Sequence, residues 1–288
     1  MAKIRLLANL NCDHVLSLAE PLLAGGRISY QDQGRRVGGG GANTGVGLVW
    51  AGHEVSIMTR LGNDATGDWL LDQAQRFGLN TQYIERVSGE TGELLLLVDS
   101  QGERTILRQP RPTLLPQPLP LAASDCLYVN YDGDAVADYM STMLSQCLVV
   151  SQYSRAGQWR RPCHIMIASA LDLAAYEDAW QHAQQVAGDS LRWLIITDGA
   201  QGAKALCGEQ QLSVPALPVT VVDTTGAGDT FAAGLIHALL AGTAMPEALA
   251  QATVWAAYTL SVSSSIPSEQ LKDYLQTTPT ADFVPSHC

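Results

Sequence analysis

The sequence predicts an α/β fold: a parallel-rich sheet flanked by helices on both faces, with a small second sheet projecting from it. Three observations carry this reading. Strand-like runs at 4–10, 54–61, 125–130, 147–151, 163–168 and 192–197 alternate with helical stretches, the pattern of a parallel sheet between helix layers. The runs are short and nearly continuously apolar, as strands buried on both faces are. Segments 14–37 and 93–109 break the alternation and read as antiparallel strands. A chain of 288 residues is long enough for one large core, so 1–288 is read as a single domain.

In chain order, 4–10 is a short buried strand. Residues 42–51 have helical character and end at Gly52, a C-terminal cap. EVSIMTRL at 54–61 alternates and then runs apolar, as a strand does. In 66–77, Trp69, Leu70, Gln73 and Phe77 fall at helical spacing before Gly78. ELLLLVDSQGERTILRQ at 93–109 is two β-like runs joined by the turn Asp99-Ser100-Gln101-Gly102. PRPTLLPQPLP at 110–120 reads as an extended connector. Helical stretches are expected at 134–146 and 172–187, an apolar strand through Val219, Val221 and Val222 ahead of a further helix, and a poorly structured tail from about 277 to 288.

Composition removes several function classes. Lys plus Arg total 17 against 28 Asp plus Glu, a net charge of −11. Phosphate backbones and anionic membranes are held by clustered basic side chains, and the basic runs here are only Arg35-Arg36 and Arg160-Arg161. No nucleic-acid or membrane partner is expected. The six cysteines form no C-x-x-C pair and no zinc-finger spacing, which reads as reduced thiols in a cytoplasmic protein. The N-terminus reads as a strand, with Asn9 and Asn11 interrupting the apolar run of a signal peptide. Between Asp229 and Glu269 the only charged residue is Glu247, yet Thr, Ser, Gly, Gln and Pro246 recur often enough to predict two buried helices.

Three segments carry chemistry. LPVTVVDTTGAGDTFAAGLIHALLAG at 217–242 turns through Thr224, Thr225, Gly226, Ala227 and Gly228 into a helix with Phe231, Leu235, Ala238 and Leu239 at helical spacing. Such a loop presents unpaired N–H groups and the positive end of the helix dipole to an anion, without basic side chains. Asp229 is poorly placed to bind a phosphate and well placed to take a proton from a hydroxyl attacking one; the plain alternative is a helix N-cap. RRVGGGGANTGVGLVWAG at 35–52 has four glycines, Gly38 to Gly41, which let the backbone approach a ligand. Asn43 follows, with an amide that both donates to and accepts from a hydroxyl; a turn with an Asn cap is the alternative. In NLNCDHV, Asn11 and Asp13 lie past the first strand's C-terminal end, where open α/β sheets bind ligands; otherwise Asp13 is a solvated loop residue. No G-x-x-x-x-G-K and no G-x-G-x-x-G occurs. His237 reads as packed on a buried helix, His14 as a neighbour of Asp13 within reach of a substrate, and the tryptophans as core anchors.

These segments, in this order and with the interruptions at 14–37 and 93–109, resemble the ribokinase family, also called the PfkB carbohydrate kinase family. The stretch D223-T-T-G-A-G-D229-T-F is specific to it, and Gly39-Gly40…Asn43 followed by R60-L-G-N-D-x-x-G67 supports it independently. The resemblance runs from Asn9 to about Leu271. It implies a Rossmann-like domain with a β lid, here 14–37 and 93–109. It implies Asp229 as the base, Gly226, Ala227 and Gly228 as the anion hole, and Asp13, Gly39, Gly40 and Asn43 with nearby Asn11 as the sugar site. Thr197, Gly199 and Gly202 match the nucleotide loop, and Asp223 and Thr225 match positions that bind a monovalent cation in some members. The family's N-x-x-E motif, which organises Mg²⁺ through water, aligns with Ser169 and Asp172, so Asp172 is the expected metal residue, with a shorter reach than Glu. The stretch 261–271 is shorter than the family's loop near the cation site, which argues against K⁺.

The resulting expectation is an ATP- and Mg²⁺-dependent kinase that phosphorylates a hydroxymethyl group of a small sugar, dimerising through its lid. A nucleoside kinase of the same fold and a catalytically weak sugar-binding or regulatory protein are the alternatives.

Overall fold

Apolar strands stacked side by side need helices on both faces, and the chain supplies them in alternation. The computed structural model describes residues 1–101, 103–108, 123–154 and 160–277. The first half runs β1 (Lys3–Ala8), β2 (Asn11–Leu18), β3 (Tyr30–Gly38), α1 (Gly40–Trp50), β4 (Glu54–Gly62), α2 (Ala65–Arg76), β5 (Asn80–Val87), β6 (Glu93–Val98) and β7 (Arg104–Arg108). Next come β8 (Cys126–Asn130), α3 (Asp134–Met143), β9 (Leu148–Gln152), β10 (Ile165–Ser169), α4 (Ala170–Leu173), α5 (Ala179–Ala187) and β11 (Trp193–Thr197). The chain closes with β12 (Ala203–Cys207), β13 (Gln210–Val214), α6 (Ala227–Leu240), α7 (Met245–Leu260) and α8 (Gln270–Thr277).

The main sheet has the order β13-β12-β11-β10-β9-β8-β1-β4-β5. From β11 to β5 every pairing is parallel; β12 and β13 extend it antiparallel. Alternate residues serve two cores. Leu6, Ile57 and Tyr128 pack with α1, α2, α6 and α7. Leu7, Met58 and Leu127 pack with α3 and α5 on the other face. A second sheet has the order β3-β2-β6-β7. Its outer pairs are antiparallel, as 14–37 and 93–109 predict, but the central pair β2–β6 is parallel.

Three expectations need correction. Val219, Val221 and Val222 do not form a strand: β13 already closes the sheet edge, Pro215 and Pro218 flank the segment without N–H donors, and Val221 and Val222 are exposed. The stretch 172–187 is two helices, because Ser169 caps α4 and Asp178 caps α5 through the Gln181 N–H. The strands β5, β12 and β13 were not anticipated. The connector at 110–120 and the tail beyond 277 lie outside the described residues. The segment between Asp229 and Glu269 forms α6 and α7 as expected, and among the described residues no helix is long and apolar enough to cross a membrane.

The turn into α6 depends on a glycine. Gly226 has φ 80, and a Cβ there would lie 2.0 Å from the Ser265 carbonyl oxygen, whereas a Cβ on Gly228 meets nothing within 4 Å. Near the other end of α6, His53 Nδ1 accepts from the Ala2 N–H, so its Nε2 carries the proton and donates to His237 Nδ1 at 2.9 Å. His237, packed as expected, stacks on the fully buried Trp255. Burial pushes His53 down to about 4, with the facing His237 adding to it, and burial lowers His237 as well.

Two predictions follow from this packing. Gly226→Ala combines a positive φ with a clash and should cost about 3 kcal/mol or more, while Gly228→Ala should stay within about 1 kcal/mol; urea denaturation of both checks the contrast. For His53, the unfolded chain binds a proton near 6.5 that the folded chain takes up only near 4, so its stabilising contribution is present above 6.5 and lost as pH falls from there toward 4. The loss at pH 5 should be about 1 kcal/mol after allowing for its partial exposure. Melting curves of the protein and His53→Gln at pH 7.5 and 5 should differ in slope; parallel decline would refute the assignment.

Candidate active site

The C-terminal ends of the parallel strands share one edge: Ala8 pairs with Asn130, and Ser169 with Thr197. Chain reversals at this edge leave strand ends open to a ligand. The small sheet rises from it, since β1 runs through Asn9 into β2 and β3 returns to α1.

Asp229 sits in the first turn of α6. It does not cap its helix; Gly226 holds that position. Its carboxylate turns instead to two amides. Asn43 Nδ2 donates to Asp229 Oδ2 at 2.9 Å, and Asn130 Nδ2 donates to Oδ1 at 3.1 Å. Burial raises the Asp229 pKa, and the two asparagine bonds oppose the rise without cancelling it. Burial, and then the Asp229 charge, hold the nearby Tyr128 hydroxyl well above its ordinary range. The result is a carboxylate fixed in orientation and more basic than an exposed Asp, which is what a proton acceptor needs.

Asn43 is four residues into α1 and is not a cap; Gly39 is. Its NH₂ is committed to Asp229, while its Oδ1 is buried with no hydrogen-bond partner among the described residues. An unmet buried acceptor costs about 1–3 kcal/mol, and a hydroxyl donated to it would lie beside Asp229. Gly39, at φ 85, brings the backbone so close that a Cβ would fall 2.4 Å from the Asn9 carbonyl oxygen, and a Cβ on Gly40 would fall 2.5 Å from Asn130 Nδ2. Asn11 and Asp13 are not in a loop. They lie on one face of β2, opposite Gly38 and Arg36, and Asp13 is only 5% exposed, which removes the solvated-loop reading. A Cβ on Gly38 would strike the Asp13 carboxylate. His14 points to the other face and pairs with Asp32 at 2.9 Å and Glu93 at 3.6 Å.

The remaining expected residues gather separately. Thr197 ends β11, its hydroxyl 3.4 Å from the Ala168 carbonyl. Gly199 and Gly202 shape the following turn, closed by Asp198 N–H to the Gly202 carbonyl. Asp172 forms a capping box with Ser169: Ser169 N–H donates to Asp172 Oδ2, and Asp172 N–H to Ser169 Oγ. Among the described residues no group of three His, Cys, Asp or Glu side chains clusters as a metal cage. A hydrated Mg²⁺ held chiefly by substrate phosphates needs one or two carboxylates, and Asp172, at the same strand edge, suits contact through water.

At Asp223 the place of a monovalent cation is already taken, while Thr225 Oγ1 is buried with no hydrogen-bond partner among the described residues. Asp223 Oδ1 already accepts from the Thr225 N–H at 2.7 Å and from the guanidinium of Arg104, which also bonds the Thr224 hydroxyl. The stretch 261–268 packs against the same turn through the Ser265 carbonyl, and Arg36 Nη1 reaches the Ser263 carbonyl at 2.6 Å. Asn130 and Arg104 are the site residues that sequence reasoning missed. Asn130 left one signal, a polar residue ending the apolar strand CLYVN; Arg104 left none.

A family model described as pfkB family carbohydrate kinase matches residues 12–151 and 158–271. The deoxyribokinase of Salmonella typhi is 23% identical, with 83% of this chain and 87% of that protein covered. The fructosamine kinase of Bacillus subtilis is 29% identical, with 81% and 87% covered. Among solved structures, Arabidopsis thaliana ribokinase complexed with ribose and ATP matches with a TM-score of 0.77 at 20% identity, covering 96% of this chain and 99% of that one. The two asparagine-held oxygens of Asp229, the glycine turn before it and the two-sheet fold thus stand in a chain that belongs to the pfkB family of carbohydrate kinases and is a phosphotransferase.

Proposed function

We propose that the protein transfers the γ-phosphoryl group of ATP to a hydroxymethyl group of a small sugar. The observation that carries this reading is the Asn43–Asp229 pair, with a buried unpaired Asn43 Oδ1 beside a carboxylate of raised pKa. A substrate hydroxyl that meets both is positioned and deprotonated at one point. Its proton passes to Asp229, its oxygen bonds the γ-phosphorus, and the bond to the bridging oxygen breaks to release ADP. The N–H groups of Gly226 and Gly228, together with that of Ala227, which now makes only a long 3.4 Å bond to the Thr224 carbonyl, would supply fixed dipoles to the charge on the transferring group. Asp172 would contact a Mg²⁺ ion through water, and such an ion would supply further positive charge to the phosphates. Asn11, Asp13, Gly39 and Gly40 bind the rest of the sugar, Asn130 holds Asp229 in orientation, and Thr197, Gly199 and Gly202 line the nucleotide side. The names deoxyribokinase and fructosamine kinase among its relatives, and the ribose and ATP of the Arabidopsis complex, support a sugar acceptor and ATP.

The small sheet, segments 14–37 and 93–109, acts as a lid over this edge. Among the described residues its outer strands β3 and β7 pair with no further strand, and Tyr30, Ile106 and Leu107 are 62%, 53% and 49% exposed, so a homodimer contact there is part of the proposal. Free thiols at Cys12, Cys126, Cys147, Cys163 and Cys207 support a cytoplasmic setting.

Asp229→Asn should fold, bind ATP and lose turnover by about 10³-fold. The acid limb of kcat/KM should lie above the ordinary Asp range, because the base works only when ionised and is lost as pH falls through its raised pKa. ADP release measured over pentoses, hexoses, ketoses and nucleosides identifies the acceptor: a nucleoside preference selects the nucleoside-kinase alternative, and sugar-induced thermal stabilisation without ADP release selects a binding role. Light scattering should give twice the chain mass, reduced to one chain by Ile106→Asp.

A further inference from the structure

We propose that Arg104 is a tethered cation for the anion loop: its guanidinium takes the place of a monovalent cation at Asp223, so phosphoryl transfer is independent of K⁺ and requires the small sheet to be docked. This rests on the kinase reading above and adds a positioning residue to it. Arg104 opens β7, an edge strand of the small sheet. Its two terminal nitrogens bond the Asp223 carboxylate and the Thr224 hydroxyl, 119 and 120 residues away. The same Asp223 oxygen accepts from the Thr225 N–H, which immediately precedes Gly226. One carboxylate thereby ties the guanidinium to the backbone of the loop that would receive the phosphoryl group.

A cation at this carboxylate performs two tasks. It cancels a negative charge six residues before Asp229, where incoming phosphates would otherwise meet repulsion. It also fixes the turn. The guanidinium does both, and its planar fork meets two oxygens at once, which a spherical ion cannot orient. Arg104 and Asp223 side chains are 25% and 16% exposed, so the pair is shielded from much of the salt screening that weakens surface ion pairs. Burial works to raise the Asp223 pKa, but hydrogen bonds from Thr225 and the charge of Arg104 outweigh it, so the carboxylate stays ionised.

The anchor also differs from a free ion in where it comes from. It arrives on the small sheet and leaves with it. The opposite edge strand, β3, sends Arg36 to the Ser263 carbonyl, on the stretch whose Ser265 carbonyl presses against Gly226. Both edges of the small sheet therefore hold the two sides of the Gly226 turn, and Arg104 is the one whose charge reaches Asp223.

The test compares the full-length protein and Arg104→Met in KCl and in tetramethylammonium chloride of equal ionic strength, by thermal melting and by steady-state rate on the acceptor the substrate panel yields. The unaltered protein should melt at the same temperature in both salts, with rates within about twofold. Arg104→Met should lose about tenfold in rate without K⁺, recover part of it with K⁺ alone, and melt higher in KCl than in tetramethylammonium chloride. A K⁺-specific rise in melting temperature or rate of the unaltered protein overturns the proposal whatever the variants do, as does an Arg104→Met protein with full rate in the absence of K⁺. Should Arg104→Met fail to fold, Arg104→Lys, which keeps the charge and loses the fork, should run more slowly and remain K⁺-independent; K⁺ activation at the native rate would overturn the proposal. If no acceptor turns over, the kinase reading fails on the panel, and the melting comparison of the unaltered protein still decides the cation question.

Discussion

A carboxylate taken out of water at the head of a helix must be held there, and the placement of Asp229 is the constraint on which the rest of the site depends. Two asparagine amides, from α1 and from the end of β8, meet its two oxygens, and the N-terminal dipole of α6 favours its charge. These contacts bring together elements nearly two hundred residues apart in the chain, so α1, β8 and α6 must converge within hydrogen-bond distance. The convergence in turn demands backbone close to backbone. Gly39 passes against the Asn9 carbonyl and Gly226 against the Ser265 carbonyl, with no room for a side chain at either. Gly39 and Gly226 are thus a packing requirement of the Asp229 site, whatever they present to a ligand.

Asp229 remains basic because burial outweighs the bonds that fix it. Burial opposes its ionisation, and the asparagine amides recover only part of that cost. A carboxylate saturated by charged donors would be a weak base, whereas neutral amides orient it and leave its basicity largely intact. The unpaired Asn43 Oδ1 extends the logic to a substrate, because a hydroxyl that satisfies this oxygen removes an unfavourable feature of the free protein as it binds.

Much of this was legible in the sequence because its signals are local. The parallel sheet shows as apolar runs, and the anion loop shows as three small residues ahead of Asp229 and an apolar helix. What was not legible depends on contacts across long separations. Asn130 looks like any strand-ending asparagine until the fold sets it against Asp229. Arg104 looks like a solvent-facing charge in a hairpin until β7 is carried over to Asp223. The misread strand at Val219–Val222 has the composition of a buried strand, but the sheet edge is already occupied by β13 and the flanking prolines cannot donate to a ladder. The break inside 172–187 turns on Asp178 capping a new helix, a choice that the apolar periodicity on either side does not record.

The net charge of −11 looks unfavourable for the ATP binding proposed above, and the proposed site offers a way round it. At physiological salt the Debye length is about 8 Å, so carboxylates scattered over the surface are largely screened from a bound phosphate. The field that matters is the one within a few ångströms of it. There the chain places backbone N–H groups at a helix N-terminus, which desolvate less than ammonium groups and cannot be lost to titration. Several arginines are engaged elsewhere: Arg60 with Glu85, Arg86 with Asp68, Arg35 with Glu93 and Arg76 with Asp72. Among the described residues, Arg36 and Arg104 approach the turn before α6, and both come from the small sheet. The side-chain positive charge that reaches this loop from Arg36 and Arg104 therefore depends on the sheet's position, while Asp229 is held by α1 and β8 independently of it. On the kinase reading proposed above, attraction for phosphate would be greatest with the small sheet over the strand edge, the arrangement that would also keep water from the transferring group.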